Sequence, residues 1–98
     1  MFFIDLKYIA PLEEIDAYME VHLKHLNKYY DEKVFVVWGP KVPRTGGVIL
    51  AFAGSREQIE KIITEDPFYK HKLAEFTVTE FLTPVYHPDL TALLDGAE

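Results

Sequence analysis

Hydrophobic and polar residues alternate at the start of the chain. Over residues 2–9, one face of an extended segment carries Phe2, Ile4, Leu6 and Tyr8. Alternation of this kind is typical of a strand with one side against the core. We therefore predict a first strand with a strongly apolar inner face.

A helical period replaces the alternation over residues 11–30. The apolar stripe has spacings of four, three and four residues and consists of Ile15, Met19, His22 and Leu26. Such spacing places all of these side chains on one face of a helix. The pattern thus predicts a single long helix with an imidazole on its inward face.

Two apolar runs in the middle of the chain predict two further strands, at residues 34–38 and 48–53. Residues 39–47 between them are rich in glycine and proline and predict a long hairpin connection. Both runs are apolar throughout, which is typical of strands covered on both faces.

The second half of the chain predicts a helix, a turn and a strand. Ser55 and Gln58 have the spacing of a capping box, so a helix begins there. Asp66 precedes a proline and is predicted to cap a short helical turn. Residues 76–81 predict the fourth strand, and residues 89–94 predict a short terminal helix.

The predicted order β-α-β-β-α-β indicates an α+β fold of the ferredoxin-like type. Its four-stranded antiparallel sheet has both helices on one face. The chain of 98 residues suits one domain, with a core at about residues 2–81 and a C-terminal extension at 82–98. The other sheet face would expose the apolar central strands, so a homodimer through that face is predicted. Tyr86 and His87 in the extension could add to a pocket or to a larger assembly.

Composition excludes several classes of partner and site. The net charge of −6 disfavours nucleic acid and anionic membranes, so a small molecule or another subunit is the expected partner. The absence of cysteine excludes disulfides and thiolate metal sites. His22 and His25 could share a metal with His71 or His87, but ligand spacing is poor and we expect neither metal nor cofactor.

The N-terminus lacks a signal-peptide pattern, so a cytoplasmic location is expected.

Several short motifs, in order along this frame, resemble the YciI-like family of the dimeric α+β barrel superfamily, which also contains muconolactone isomerases. They are His22, the Gly39-Pro40 pair, Arg44 with Gly46-Gly47, and Asp66-Pro67-Phe68 followed by Leu73-Ala74. The likeness spans roughly residues 2–81. It implies homodimers whose sheets form a barrel, with a His-Asp pair in a pocket between helices and sheet.

The resemblance assigns the family histidine to His22 and the family aspartate to Asp66. One branch of the family resembles a dehydrochlorinase that acts on a chlorinated hydroxyhydroquinone. The chain departs from the family at Lys33 and Lys72, where family members often have glycine. Both positions lie in predicted turns, so the departures concern backbone geometry more than chemistry.

His22 and Asp66 are the candidate catalytic residues. A neutral imidazole oriented by a carboxylate can take a proton from a substrate and return it elsewhere, as isomerisation or elimination requires. The alternatives are a core histidine with satisfied nitrogens and an aspartate that serves only as a helix cap.

Arg44, Trp38 and Phe68 are the candidate substrate-binding residues. A guanidinium can hold a carboxylate or phenolate, and the aromatic residues suit a cyclic or aromatic metabolite. A solvated loop charge and plain core packing are the alternatives. The leading hypothesis is a cofactor-independent isomerase or lyase, and the competing ones are a non-catalytic small-molecule-binding module and a structural dimer.

Overall fold

The computed structural model describes residues 1–92 of the chain. Within that range, four strands and four helices follow one another in the predicted order, and a short 3-10 helix lies in the C-terminal extension. The elements are β1 Phe2–Tyr8, α1 Leu12–Ala17, α2 Met19–Asp31, β2 Phe35–Pro40, β3 Gly46–Ala51, α3 Arg56–Thr64, α4 Pro67–Lys70, β4 Ala74–Glu80 and the 3-10 helix Pro88–Leu90.

The strands form one antiparallel sheet in the order β2-β3-β1-β4. The central strand β1 pairs with β3 and β4, so that Ile4 lies opposite Ile49 on one side and Val78 on the other. This strand order is that of a ferredoxin-like fold. The predicted α+β class and four-stranded sheet are confirmed.

The core lies between one face of this sheet and the helices. Side chains alternate in direction along β1, so Phe2, Ile4 and Leu6 are buried while Lys7 is exposed. Isoleucines of α1 and α3, together with Leu26 of α2, cover that face. Burial of these apolar side chains is what holds the helices against the sheet.

The first predicted helix is in fact two helices that meet at Tyr18. The backbone of Tyr18 leaves helical geometry, with φ −107° and ψ 4°. Its ring stacks on His71 at a centroid distance of 4.3 Å. The prediction of one continuous helix over residues 11–30 was wrong. The break could not be recognised in the sequence, because neither glycine nor proline stands near it.

Two helices end in residues with left-handed backbone. Lys33 follows α2 with φ 62°, and Lys72 follows α4 with φ 55°. The N–H of Lys33 donates to the Tyr30 carbonyl, and the next N–H, of Val34, donates to the Tyr29 carbonyl. This pattern is a helix C-terminal motif that glycine fits best. The structure thereby explains why the positions held by these lysines suit glycine.

The hairpin between β2 and β3 is shorter than predicted, because both strands extend into it and leave residues 41–45 as the connection. A Cβ atom on Gly46 would lie 1.8 Å from the Leu6 carbonyl oxygen, whereas one on Gly39 would meet nothing within 4 Å. No glycine of the described residues has positive φ. Close strand approach, rather than turn conformation, therefore requires glycine at position 46.

The sheet face opposite the helices is only partly apolar. Its apolar part consists of Phe3, Val48 and Leu50, which are half-buried, and Val37, whose exposed fraction is 53%. Threonines of β4 and the ion pair between Asp5 and Lys41, at 3.0 Å, make the rest of this face polar. The prediction that strand 34–38 is covered on both faces does not hold within one chain.

The C-terminal extension leaves the sheet after Phe81. Leu82 and Val85 have exposed fractions of 87% and 89%. The terminal helix predicted over residues 89–94 begins as the 3-10 helix, and residues 93 and 94 lie outside the described part of the chain.

Candidate functional site

His22 lies on α2 with its imidazole turned toward the sheet. Its backbone N–H donates to the Tyr18 carbonyl at 3.0 Å, which starts the second helix after the break. The residue is 6% exposed, and its ring forms part of the wall of a cavity. The predicted inward position of this imidazole is thus what the structure shows.

Asp66 lies between α3 and α4 and reaches His22 across 44 positions of sequence. Its Oδ1 is 2.9 Å from His22 Nδ1 and also accepts the Phe68 backbone N–H at 2.8 Å. A carboxylate only accepts hydrogen bonds, so this contact assigns the imidazole proton to Nδ1. The aspartate therefore caps α4 and orients the histidine at the same time.

Phe68 lies behind the imidazole and not in the cavity wall. The two rings stack with centroids 3.8 Å apart and planes 6° apart, and Phe68 is 0% exposed. Since one face of the His22 ring covers it, Phe68 holds the imidazole from behind. We had expected Phe68 to contact the substrate directly, and the structure places it one layer deeper.

A cavity of about 220 Å³ lies between α2 and the strands β1, β2 and β3. Its apolar wall includes Leu6, Met19, Leu23, Leu26, Trp38 and Ile49. Among the described residues, no buried side-chain nitrogen or oxygen lacks a hydrogen-bond partner. Nε2 of His22 has no hydrogen-bond partner in that part of the chain. Since every fully buried side-chain nitrogen there has one, Nε2 is not fully buried.

Trp38 and Arg44 also line this cavity. Trp38 is half-buried on β2, and Arg44 lies in the β2–β3 connection. The guanidinium forms an ion pair with Asp16 of α1 and lies 6.0 Å from the centre of the Tyr8 ring. The hydrogen bond to Asp16 raises the pKa of Arg44 above the usual arginine value. The structure thus brings His22, Arg44 and Trp38 to one cavity.

A second polar cluster adjoins the site on α2. Burial lowers the pKa of His25, while the carboxylates of Asp66 and Glu65 oppose that shift. Tyr29 donates a hydrogen bond to Glu65, and burial together with this bond raises the pKa of Tyr29 to about 12. Tyr29 itself packs in the core, with an exposed fraction of 8%.

Sequence reasoning missed Asp16 and Tyr8, which accompany Arg44. Asp16 is one of several acidic residues in the predicted helix and Tyr8 belongs to the predicted first strand, so no sequence motif marks either contact. Tyr86 and His87, which the sequence suggested for the pocket, do not line it.

Among residues 1–92, no group of three or more histidine, cysteine, aspartate or glutamate side chains is arranged to hold a metal ion. Over the same range, no helix is long and apolar enough to span a membrane.

The fold and site define a small α+β protein of ferredoxin-like topology with a buried histidine–aspartate pair beside an apolar cavity. The chain belongs to the YCII-related domain family, whose model matches residues 1–82. The expected family resemblance is confirmed, and residues 83–98 lie beyond the matched domain.

A solved structure with a similar fold is 5-chloro-2-hydroxyhydroquinone dehydrochlorinase from Burkholderia phenoliruptrix AC1100, in complex with 2,5-dihydroxybenzoquinone. Its TM-score is 0.70 at 21% sequence identity, over 84% of this chain and 94% of that one. At this identity the similarity supports the fold. No curated protein matches the chain.

Proposed function

We propose that this protein is a small, cofactor-independent enzyme that transfers a proton on a small cyclic or aromatic molecule. His22 acts as the general base or acid, and Asp66 orients it. The observation that carries the proposal is the hydrogen bond between His22 Nδ1 and Asp66 Oδ1, at 2.9 Å, beside a cavity that His22 lines.

The geometry suits proton transfer through Nε2. With the proton held on Nδ1 by Asp66, a neutral imidazole presents an acceptor lone pair at Nε2. The carboxylate also stabilises the imidazolium that forms once His22 has taken a proton. An apolar cavity wall strengthens such electrostatic effects, because it screens charges less than water does. Isomerisation, or elimination of a leaving group beside an acidic C–H, is the reaction class that these parts support.

The cavity indicates the size of the substrate. Its volume of about 220 Å³ lies below the roughly 300–1,000 Å³ typical of pockets for drug-sized ligands. A molecule with a single ring is therefore favoured, with Trp38 as an aromatic wall. The dehydrochlorinase of similar fold holds a ligand of this kind, 2,5-dihydroxybenzoquinone, so a dehydrochlorination is the first elimination to test.

The test measures turnover and proton exchange in variants of His22. We expect 5-chloro-2-hydroxyhydroquinone or another ring compound from a thermal-shift screen to react, with chloride release or deuterium incorporation from D2O as the readout. His22→Asn should reduce the rate by about 10²–10⁴-fold, the usual contribution of a general acid or base. His87→Asn is the matched control, because His87 is exposed and does not line the cavity.

Two outcomes of this experiment contradict the proposal. If His22→Asn retains the wild-type rate, the imidazole is not the proton carrier. If ring compounds stabilise the protein and none is turned over or exchanged, the cavity belongs to a non-catalytic binding module, since a ligand that binds the native state raises the melting temperature without any reaction. Full activity after dialysis against a chelator is expected, because the proposal uses side chains only.

The proposal includes a homodimer formed through the sheet face opposite the helices. Support comes from the apolar part of that face, where Val37 is 53% exposed within one chain. A second copy of the same sheet covers it about a two-fold axis. Light scattering during gel filtration should give twice the chain mass of 11.4 kDa.

Two glutamate substitutions test the location of this interface. Val37→Glu should shift the protein to a monomer, because it places a charge within the apolar patch, beside Leu50. Val42→Glu should leave the dimer intact, because Val42 is 97% exposed in the β2–β3 connection. A monomeric wild type, or a dimer unaffected by Val37→Glu, would contradict the proposed face.

A further inference from the structure

Arg44 is the one lysine or arginine that lines the cavity among residues 1–92. It stands in the β2–β3 connection, while the residues that form the rest of the wall are almost all apolar, His22 apart. A guanidinium presents a planar fork of donors that matches a carboxylate or an ionised ring hydroxyl. The cavity therefore has one place where a negative charge is favoured.

Asp16 of α1 already supplies a carboxylate to this guanidinium. The side chains of Arg44 and Asp16 are 40% and 58% exposed. Exposed ion pairs of this kind contribute little net stability, because water solvates both charges well when they separate. An anion brought in by a ligand can thus replace Asp16 at small cost.

We propose that Arg44 is the anion-binding end of the cavity and that Asp16 competes with the ligand for it. The ligand class is a single-ring molecule that carries a carboxylate or an ionised hydroxyl. The ring would lie against Trp38, with its anionic group at Arg44 and the reacting atom near His22. The inference rests on the cavity of the proposed function and adds the charge of the substrate to it.

The overall charge of the protein makes this site selective. A chain with net charge −6 repels anions in general, so an anionic ring gains entry only where a cation is placed for it. The Tyr8 ring below Arg44 adds a cation–π contact that holds the guanidinium in position. The ion pair with Asp16 also links α1 to the loop between β2 and β3. An incoming anion that replaces Asp16 would break this link.

The experiment compares a charged ring with a neutral one of nearly the same shape. Salicylate and salicylamide are titrated separately, and the indole signal of Trp38 in NMR spectra reports binding in the cavity. We expect the wild type to bind salicylate more tightly than salicylamide. Arg44→Gln should abolish this preference, and Arg44→Lys should restore part of it.

Variants of the acidic residues provide the decisive comparison. Asp16→Asn should tighten salicylate binding about two- to fivefold, in line with the loss of a competing exposed ion pair, and leave salicylamide unchanged. Glu13→Gln is the matched control, because it removes the same charge from an exposed position of α1 that has no ion pair within the described residues. Its effect on salicylate binding should be small.

Three results would overturn the inference. The first is equal affinity of the wild type for salicylate and salicylamide. The second is no gain in salicylate affinity for Asp16→Asn beyond that of Glu13→Gln. The third is no change of the Trp38 signal with millimolar salicylate. None of these measurements requires turnover, so the two proposals can fail separately. A preference for salicylate without proton exchange would support the anion site and contradict the catalytic role of His22. Turnover restricted to neutral rings would support the catalytic role and contradict the anion site.

Discussion

One oxygen of Asp66 fixes the ring of His22 and the backbone of Phe68 together. Oδ1 is 2.9 Å from His22 Nδ1 and 2.8 Å from the Phe68 nitrogen. The Phe68 ring in turn stacks on the imidazole. The aspartate is 1% exposed, so solvent cannot readily replace either bond.

Substitution of Asp66 should separate its two roles. Asp66→Ala should lower the free energy of unfolding by about 2–4 kcal/mol, since it removes a helix cap worth about 1 kcal/mol and leaves the imidazole N–H without a partner at about 1–3 kcal/mol. Asp66→Asn should cost less than half as much, because asparagine caps helices as well as aspartate does. Urea unfolding followed by circular dichroism measures both.

The same variants should change the tautomer of His22. In the wild type, nitrogen chemical shifts of the imidazole should report the proton on Nδ1, as the bond to Asp66 requires. In Asp66→Ala that preference should weaken. An unchanged tautomer and an unchanged stability in Asp66→Ala would show that the bond has no role in orienting the ring.

Glycine at positions 33 and 72 should stabilise the protein. Lys33 and Lys72 have φ values of 62° and 55°, in a region that costs a residue with a Cβ about 1–2 kcal/mol. Part of this gain is offset by the greater freedom of glycine in the unfolded chain, so Lys33→Gly and Lys72→Gly should each raise the unfolding free energy by about 0.5–1 kcal/mol. Lys28→Gly, inside α2, should instead lower it by about 1 kcal/mol. Destabilisation by either of the first two variants would contradict the left-handed assignment.

Gly46 and Gly39 offer a matched pair for testing close strand contact. A methyl group at position 46 would meet the Leu6 carbonyl at 1.8 Å, so Gly46→Ala should cost about 2–3 kcal/mol through displacement of the backbone. At position 39 the space is open, and Gly39→Ala should change stability by less than about 0.5 kcal/mol. Equal effects of the two substitutions would place the site of close approach elsewhere.

Tyr29 should make stability depend on pH in the alkaline range. Its pKa is raised from 10.0 to about 12 by burial and by the hydrogen bond to Glu65. Below pH 10 the side chain is protonated in both states and its contribution is complete. Between pH 10 and 12 only the unfolded chain loses the proton, so the contribution is lost as pH rises. The fall in unfolding free energy over this window should be smaller in Tyr29→Phe, and equal slopes would contradict the assignment.

Much of the fold follows from hydrophobic period alone. Alternation at residues 2–9, the apolar runs at residues 34–38 and 48–53 and the pattern of residues 76–81 place all four strands in the right order once the βαββαβ rule is applied. Boundaries were less accurate, because pairing between β2 and β3 continues into glycine and proline positions that favour a turn locally. The break at Tyr18 was missed for a related reason, since it accompanies a contact with His71 that local sequence cannot reveal.

The candidate site was predictable only in part. The inward position of His22 follows from its place on the helix stripe, and the capping role of Asp66 follows from the proline after it. The contact between the two side chains depends on the packing of α2 against α4. Hydrophobic periodicity does not predict this packing. The pairing of Arg44 with Asp16 was invisible because both residues are exposed and 28 positions apart.

The stacked Phe68 also has a stereochemical consequence. Phe68 stacks on one face of the imidazole and Asp66 binds its Nδ1 edge, which leaves Nε2 for contact with a planar ligand. We expect a flat molecule bound in this cavity to present one of its sides to that nitrogen. Under the proposed proton transfer, any new carbon centre formed there should therefore arise in one handedness, and the hydrogen removed from a prochiral CH₂ should always be the same one.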